Sequence, residues 1–135
     1  MTDYDFGQMF AGLTRTELVP SYRLNREAPA AERVSFVVDV PTVATLGEWQ
    51  GLADAAAALA DGDGDALLAA SRARSDFFIA RIVEVRTGAN RQPVTDETRG
   101  ALAEHLYSPA RLPLLMEIEL MWRKLGVVDG ESGNG

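Results

Sequence analysis

The sequence contains no cysteine and only one histidine and one lysine. Without cysteine, the chain forms neither disulfides nor thiolate metal sites. Its start, MTDYDFGQMF, lacks the basic and long apolar regions of a secretory signal, and no apolar run approaches the roughly 20 residues that span a bilayer. We therefore expect a cytoplasmic protein that is neither exported nor inserted in a membrane.

Basic residues are also too few and too scattered to suggest nucleic-acid binding. The net charge is -7, which repels phosphate backbones and anionic membranes over about 10 Å. Arginines 72, 74, 81 and 86 point in different directions on a helix and are interrupted by acidic residues. We expect neither nucleic acid nor a membrane as partner.

Length and composition favour one folded domain, since 135 residues with 47% hydrophobic content suffice for a single core. We predict an α+β, mostly helical fold with an N-terminal β-hairpin packed on about four helices. Residues 1–20 are predicted to be a partly ordered N-terminal segment, residues 21–126 the domain and residues 127–135 a flexible tail.

A period of two between Ser21 and Val40 predicts the hairpin. The alternating apolar positions are Tyr22, Leu24, Val34, Phe36, Val38 and Val40. The connection, roughly Arg26 to Glu32, is too long for a tight turn. Because two strands are marginal alone, this hairpin must pack on helices or on another subunit.

Helical spacing begins after Pro41. Thr45 and Glu48 have capping-box spacing, so a first helix is predicted to end near Ala60. The acidic, glycine-rich stretch at 61–65 breaks it, and a second, central helix follows. Its predicted core face comprises Leu67, Leu68, Phe78, Ile79, Ile82 and Val85.

Three further signals organise the C-terminal half. The polar stretch TGANRQP at 87–93 predicts a loop, and Thr95 then caps a helix running to about Tyr107. The last helix is predicted to start near Pro113 and to stop at Gly126.

The DGDGD stretch matches the first ligands of a calcium-binding EF-hand loop at Asp61, Asp63 and Asp65. Ala66 stands where that loop needs glycine, and Arg72 stands where it needs a bidentate glutamate. We therefore expect an acidic linker between helices, with no metal and no cofactor.

No catalytic constellation is visible in the sequence. His105 has no sequence-indicated nucleophile or orienting carboxylate, and phosphate-binding loops and nucleophile elbows are absent. We expect a non-enzymatic protein with no catalytic residues, in which substitution of His105 has little effect.

The last helix has a broad apolar surface, which is either core or docking surface, or both. Our candidate protein-binding residues are Leu114, Leu115, Ile118, Met121 and Trp122. Met116 and Leu120 extend this surface sideways. Glu117, Glu119, Arg123 and Lys124 are predicted to face water, with Glu119 and Arg123 spaced as an ion pair.

The order of hairpin, PTVATLGEWQ, helical middle, GANRQPVTDETRGAL and apolar last helix resembles the small tail assembly chaperones of long-tailed phages. The resemblance spans roughly Ser21 to Leu125. It implies a chaperone that covers the helical tape-measure protein during tail assembly in the host cytoplasm. It also implies a slippery heptanucleotide near the end of the gene, with an overlapping reading frame.

Two other functions remain open. The protein could be a structural tail or neck component in which hairpins of neighbouring copies pair to form a ring, which makes a homo-oligomer an open alternative. Alternatively, it could be an acidic inhibitor of a nucleic-acid-binding protein, presenting carboxylates such as Asp96 and Glu97.

Overall fold

The computed structural model describes residues 14–21, 23–59 and 62–134, with side chains described up to residue 126. The strands are β1 (Arg15–Leu18), β2 (Val34–Asp39), β3 (Ile82–Thr87) and β4 (Asn90–Pro93). The helices are α1 (Arg23–Arg26), α2 (Val43–Ala58), α3 (Gly64–Ile79), α4 (Asp96–Leu106) and α5 (Leu112–Asn134), and Ala30–Glu32 forms a 3-10 turn. The predicted α+β, mostly helical class is confirmed.

The described strands form one antiparallel sheet in the order β1-β2-β3-β4. Alternation along the strands turns one face of this sheet toward the helices. The buried core cluster contains Leu18, Phe36, Val38, Trp49, Phe78, Ile79, Ile82, Leu106, Leu114, Leu115, Ile118 and Trp122. On the opposite face, Arg86 pairs with Glu84 and Glu17, and its hydrogen bond to Glu84 raises the pKa of the guanidinium.

The hairpin is present, but its first strand is not the predicted one with Tyr22 and Leu24. The partner of β2 is β1, which lies within the predicted N-terminal segment, with Leu18 opposite Phe36. Tyr22 lies outside the described residues, and Leu24 belongs to α1 with its side chain 69% exposed. The buried Asn25 side chain accepts a hydrogen bond from the Val34 amide and donates one to the Val34 carbonyl. Asn25 thus satisfies the backbone groups that a paired strand would otherwise satisfy.

A second hairpin replaces the predicted helix end and polar loop. Helix α3 ends at Ile79, and Ile82 and Val85 lie in β3, which pairs with β4. The two strands are joined by Gly88 and Ala89, and Gly88 has a φ of 59°. A β-carbon on Gly88 would lie 2.6 Å from the carbonyl oxygen of Ala31. Glycine is therefore required both by the backbone conformation and by close packing.

Helix capping was predicted correctly at one site and displaced at another. Thr95 caps α4 and forms a reciprocal capping box with Thr98. Helix α2 is capped by Thr42, in the same reciprocal arrangement with Thr45, instead of by Thr45. The earlier cap satisfies the first amides of a helix that begins directly after Pro41 and Thr42.

The predicted stop at Gly126 is wrong for the backbone, because α5 continues to Asn134. Gly126 instead permits close packing. A β-carbon there would lie 2.7 Å from Leu46 Cδ2 and 3.2 Å from Pro41 Cγ. The missing side chain lets α5 pass closely over the start of α2.

Candidate functional site: a groove between two helices

The five predicted protein-binding residues face the inside of the molecule. Leu114, Leu115, Ile118 and Trp122 belong to the buried core, and Met121 is partly buried against it. In this conformation a partner reaches few of their atoms. Their role in partner binding therefore stays a prediction, and their position explains a structural role.

Trp122 joins the sheet to the helices. It is fully buried, and its indole nitrogen donates a hydrogen bond of 2.9 Å to the Asp39 carbonyl at the end of β2. Its ring centroid lies 5.8 Å from that of Phe78 and 6.4 Å from that of Trp49. These tilted ring contacts lie in the range in which aromatic pairs contribute beyond their buried area.

A different stripe of α5 is open to solvent. Leu112, Met116 and Leu120 follow one another at intervals of four residues and are 40%, 62% and 45% exposed. This spacing places them on one side of the helix over about 12 Å. Leu68 on α3, 61% exposed, lies next to this stripe. Clustered exposed apolar side chains of this kind often mark interaction sites.

Two adjoining cavities make this region concave. The first, about 250 Å³, is lined by Leu68, Ser71, Arg72, Arg74, Ser75, Tyr107, Leu112, Leu115 and Met116. The second, about 240 Å³, is lined by Trp49, Arg74, Met116, Glu119, Leu120 and Arg123. Because they share Arg74 and Met116, they form one groove along α5, here named the α3–α5 groove.

A buried carboxylate lies beneath the middle of this groove. Glu119 is 4% exposed, and its Oε2 accepts hydrogen bonds from Trp49 Nε1 at 2.7 Å and Arg74 Nε at 3.0 Å. Its Oε1 accepts one from Ser75 Oγ at 2.9 Å. The predicted water-facing position of Glu119 is therefore wrong, and Arg123 is not its ion-pair partner. Glu119 instead joins α2, α3 and α5 through hydrogen bonds.

Two further arginines line the groove, one in each cavity. The Arg72 guanidinium lies 4.1 Å from the centroid of the Tyr107 ring, and that of Arg123 lies 5.6 Å from the Trp49 ring. Tyr107 donates a hydrogen bond of 2.6 Å to Asp76. Burial, and then this hydrogen bond, raise the pKa of Tyr107 above its ordinary value.

The other residues singled out by sequence lie away from the groove. Asp63 caps α3 by accepting a hydrogen bond from the Asp65 amide, while Asp61 lies outside the described residues. His105 is exposed in the last turn of α4. Within the described part of the chain, no three carboxylate or imidazole groups are gathered to hold a metal ion. Nor does any helix there combine the length and apolar character needed to cross a bilayer.

Sequence reasoning missed the α3 side of the groove and the burial of Glu119. The one available signal is the spacing of Met116 and Leu120, which extends the apolar surface of the last helix sideways. The helical spacing places Leu68 on the core face of α3, but most of its side chain is exposed. A glutamate between Ile118 and Leu120 gives no indication that three donors from other helices will surround it.

We compared the chain with protein-family models, curated proteins and solved structures, and none of these comparisons finds a match.

Proposed function

We propose that this protein binds an amphipathic helix of another protein in the α3–α5 groove and that it carries out no catalysis. Together with the resemblance noted from the sequence, we propose that it acts as a tail assembly chaperone in the host cytoplasm, with a tape-measure-like helix as its partner. The observation that carries the proposal is the solvent-exposed stripe of Leu112, Met116 and Leu120 beside a concave surface.

The dimensions of the groove suit a short helical segment. From Leu112 to Arg123 the lining residues of α5 cover about 16 Å, or three helical turns. A partner helix fills such a groove with apolar anchors at intervals of three or four residues. Met116 lies where the two cavities meet, and its flexible thioether side chain adapts to anchors of different shape.

The ring-forming alternative receives less support from the sheet. Both strands at the described edges, β1 and β4, are only four residues long, and β4 ends in Pro93. Short edges and proline disfavour pairing with another chain. The acidic-inhibitor alternative is also less favoured, because Asp63 caps a helix and Asp96 pairs with Arg99 at 2.7 Å.

Co-expression with the tape-measure-like tail protein tests the proposal. We expect the tagged wild-type protein to retain that protein, and the variant Met116→Asp to lose it, since a carboxylate in the groove disfavours apolar anchors. Val43→Asp is the matched control, because Val43 is 94% exposed at the start of α2. Equal retention by Met116→Asp and wild type would exclude the groove as the binding site.

The gene itself offers an independent test of the chaperone assignment. We expect a slippery heptanucleotide near its end and an overlapping frame that extends the product. A gene with neither feature would contradict the chaperone assignment and leave helix binding to be judged by co-expression.

A further inference from the structure

We infer that the partner helix is acidic and carries carboxylates that flank its apolar anchors. This inference rests on the proposed function, since it specifies the chemistry of the helix that occupies the α3–α5 groove. It is based on the charges along the groove, which differ in sign from the charge of the chain as a whole.

Positive charge is concentrated in the groove of an otherwise acidic protein. The lining residues include Arg72, Arg74 and Arg123, against one carboxylate, Glu119. The whole chain has 13 basic and 20 acidic residues, a net charge of -7. A groove with the opposite sign attracts a partner that the remaining surface repels, and it thereby sets the orientation of encounter.

Two of these arginines keep their charge available. Arg74 is paired with Glu119 at 3.0 Å. In contrast, no carboxylate oxygen in the described part of the chain lies within 4.0 Å of a side-chain nitrogen of Arg72 or Arg123. Both guanidinium groups are instead held over aromatic rings. Such cation–π contacts hold the guanidinium groups at the rings without using their N–H donors, which can bind a carboxylate from outside.

The two arginines line different cavities of the groove. Arg72 lines the cavity that contains Leu112 and Tyr107, and Arg123 lines the cavity that contains Leu120 and Trp49. Arg72 precedes Arg74 by two residues on α3, and Arg74 pairs with Glu119, which precedes Arg123 by four residues on α5. A helix lying along the groove therefore meets the two arginines at separate points, and each point suits a carboxylate.

The apolar stripe favours a protein over a nucleic acid. Arginines over aromatic rings also occur in sites for single-stranded nucleic acid. The exposed stripe of this groove, however, consists of Leu112, Met116 and Leu120, whose side chains offer no hydrogen bond to a phosphate backbone. An amphipathic helix with acidic flanks matches both the apolar and the charged parts of the groove.

Binding of synthetic helical peptides to the intact protein tests the inference. Three fluorescent peptides of about five turns share the same leucine anchors. They differ only at the positions that flank these anchors, which are glutamate, glutamine or lysine. We expect the glutamate peptide to bind roughly tenfold more tightly than the lysine peptide, with a preference that weakens as salt is added.

Two double variants locate the source of that preference. Arg72→Glu with Arg123→Glu should reverse the order of the peptides, and Arg72→Gln with Arg123→Gln should abolish the preference. Arg26→Glu with Arg91→Glu is the matched control, because both arginines are exposed and lie outside the groove. It should keep the wild-type order, and circular dichroism of all variants should show the helical content of the wild type.

The outcomes separate the two proposals. If no peptide binds, the proposed function is overturned together with the inference that rests on it. If all three peptides bind equally, helix binding stands and the acidic preference is overturned. A preference that persists in both groove variants, or displacement of the glutamate peptide by single-stranded oligothymidylate, would also overturn the inference.

Discussion

Two faces of the same helix, α5, have similar composition and opposite surroundings. The buried face carries Leu115, Ile118 and Trp122, which are at most 1% exposed. The solvent-facing stripe carries Leu112, Met116 and Leu120, which are 40% or more exposed. The comparison shows that apolar residues at helical spacing indicate an apolar surface, whereas neighbouring elements determine whether it becomes core or groove.

Between these faces lies Glu119, which is polar and yet buried. Its three donors come from α2 and α3, so its environment depends on packing between helices. A buried carboxylate is tolerated only where hydrogen bonds and an opposite charge replace the lost water.

The largest effect is expected from Trp122→Ala on the buried face. We expect the free energy of unfolding to fall by about 3–5 kcal/mol, because the change leaves a cavity in the core. It also removes the hydrogen bond to the Asp39 carbonyl. Urea unfolding measures the difference. In the control variant, Met116→Ala, the free energy of unfolding should fall by about 0.5 kcal/mol or less. A loss below about 1 kcal/mol for Trp122→Ala would contradict its central position.

The next effect is expected from Glu119→Ala. Removing the carboxylate leaves the donors of Trp49, Arg74 and Ser75 without their partner. We expect the free energy of unfolding to fall by about 3 kcal/mol. This value is at the lower end of the range for breaking a buried ion pair, because the Arg74 side chain is 30% exposed. Thermal and urea unfolding provide the measurement. Glu104→Ala, at an exposed position of α4, should change stability little, and equal losses in both variants would refute a special role for Glu119.

A smaller effect on stability, with a large effect on binding, is expected from Leu120→Ser on the exposed stripe. The side chain is already 45% exposed, so we expect stability to change by less than about 1 kcal/mol. Retention of the proposed tape-measure-like partner should nevertheless decrease. Unfolding and partner retention are measured in parallel. A variant that is strongly destabilised but still retains the partner would reverse the assignment of the two faces.

The smallest effect concerns Tyr107 at the end of the groove. Its pKa is raised in the folded protein by burial and by the hydrogen bond to Asp76. Above a pH of about 10, the unfolded chain loses the phenolic proton first, so stability should decrease as the pH rises. Tyr107→Phe should show a shallower decrease in unfolding experiments between neutral and alkaline pH. Identical slopes would show that Tyr107 does not contribute to the alkaline loss.

Local signals determined several features correctly. The Thr95 cap and the start of the last helix near Pro113 follow from side chains that act within a few residues of themselves. The strand Val34–Asp39 follows from its alternating pattern. The fold class follows from the sum of such elements, and for this reason it was predictable.

Features that depend on distant residues were not predictable. The true partner of β2 is β1, and Asn25 satisfies the Val34 backbone where the predicted strand was placed. Ile82 and Val85 continue the helical spacing of α3 but lie in a strand, because β2 offers them a pairing partner. The spacing of these apolar residues fits either a helix or a strand, and pairing with β2 decides for the strand.

By itself, the sequence determined an acidic, mostly helical α+β chain with an apolar last helix, since composition, capping and spacing act locally. Only the tertiary structure decided which side of that helix is buried, because α2, α3 and the sheet cover one face and leave Met116 and its neighbours exposed. It also decided that Glu119 is enclosed by three donors and that Arg72 and Arg123 line one groove. These residues are far apart in the chain. Whether a side chain is buried, and which charges surround it, depends on the tertiary packing that brings such residues together.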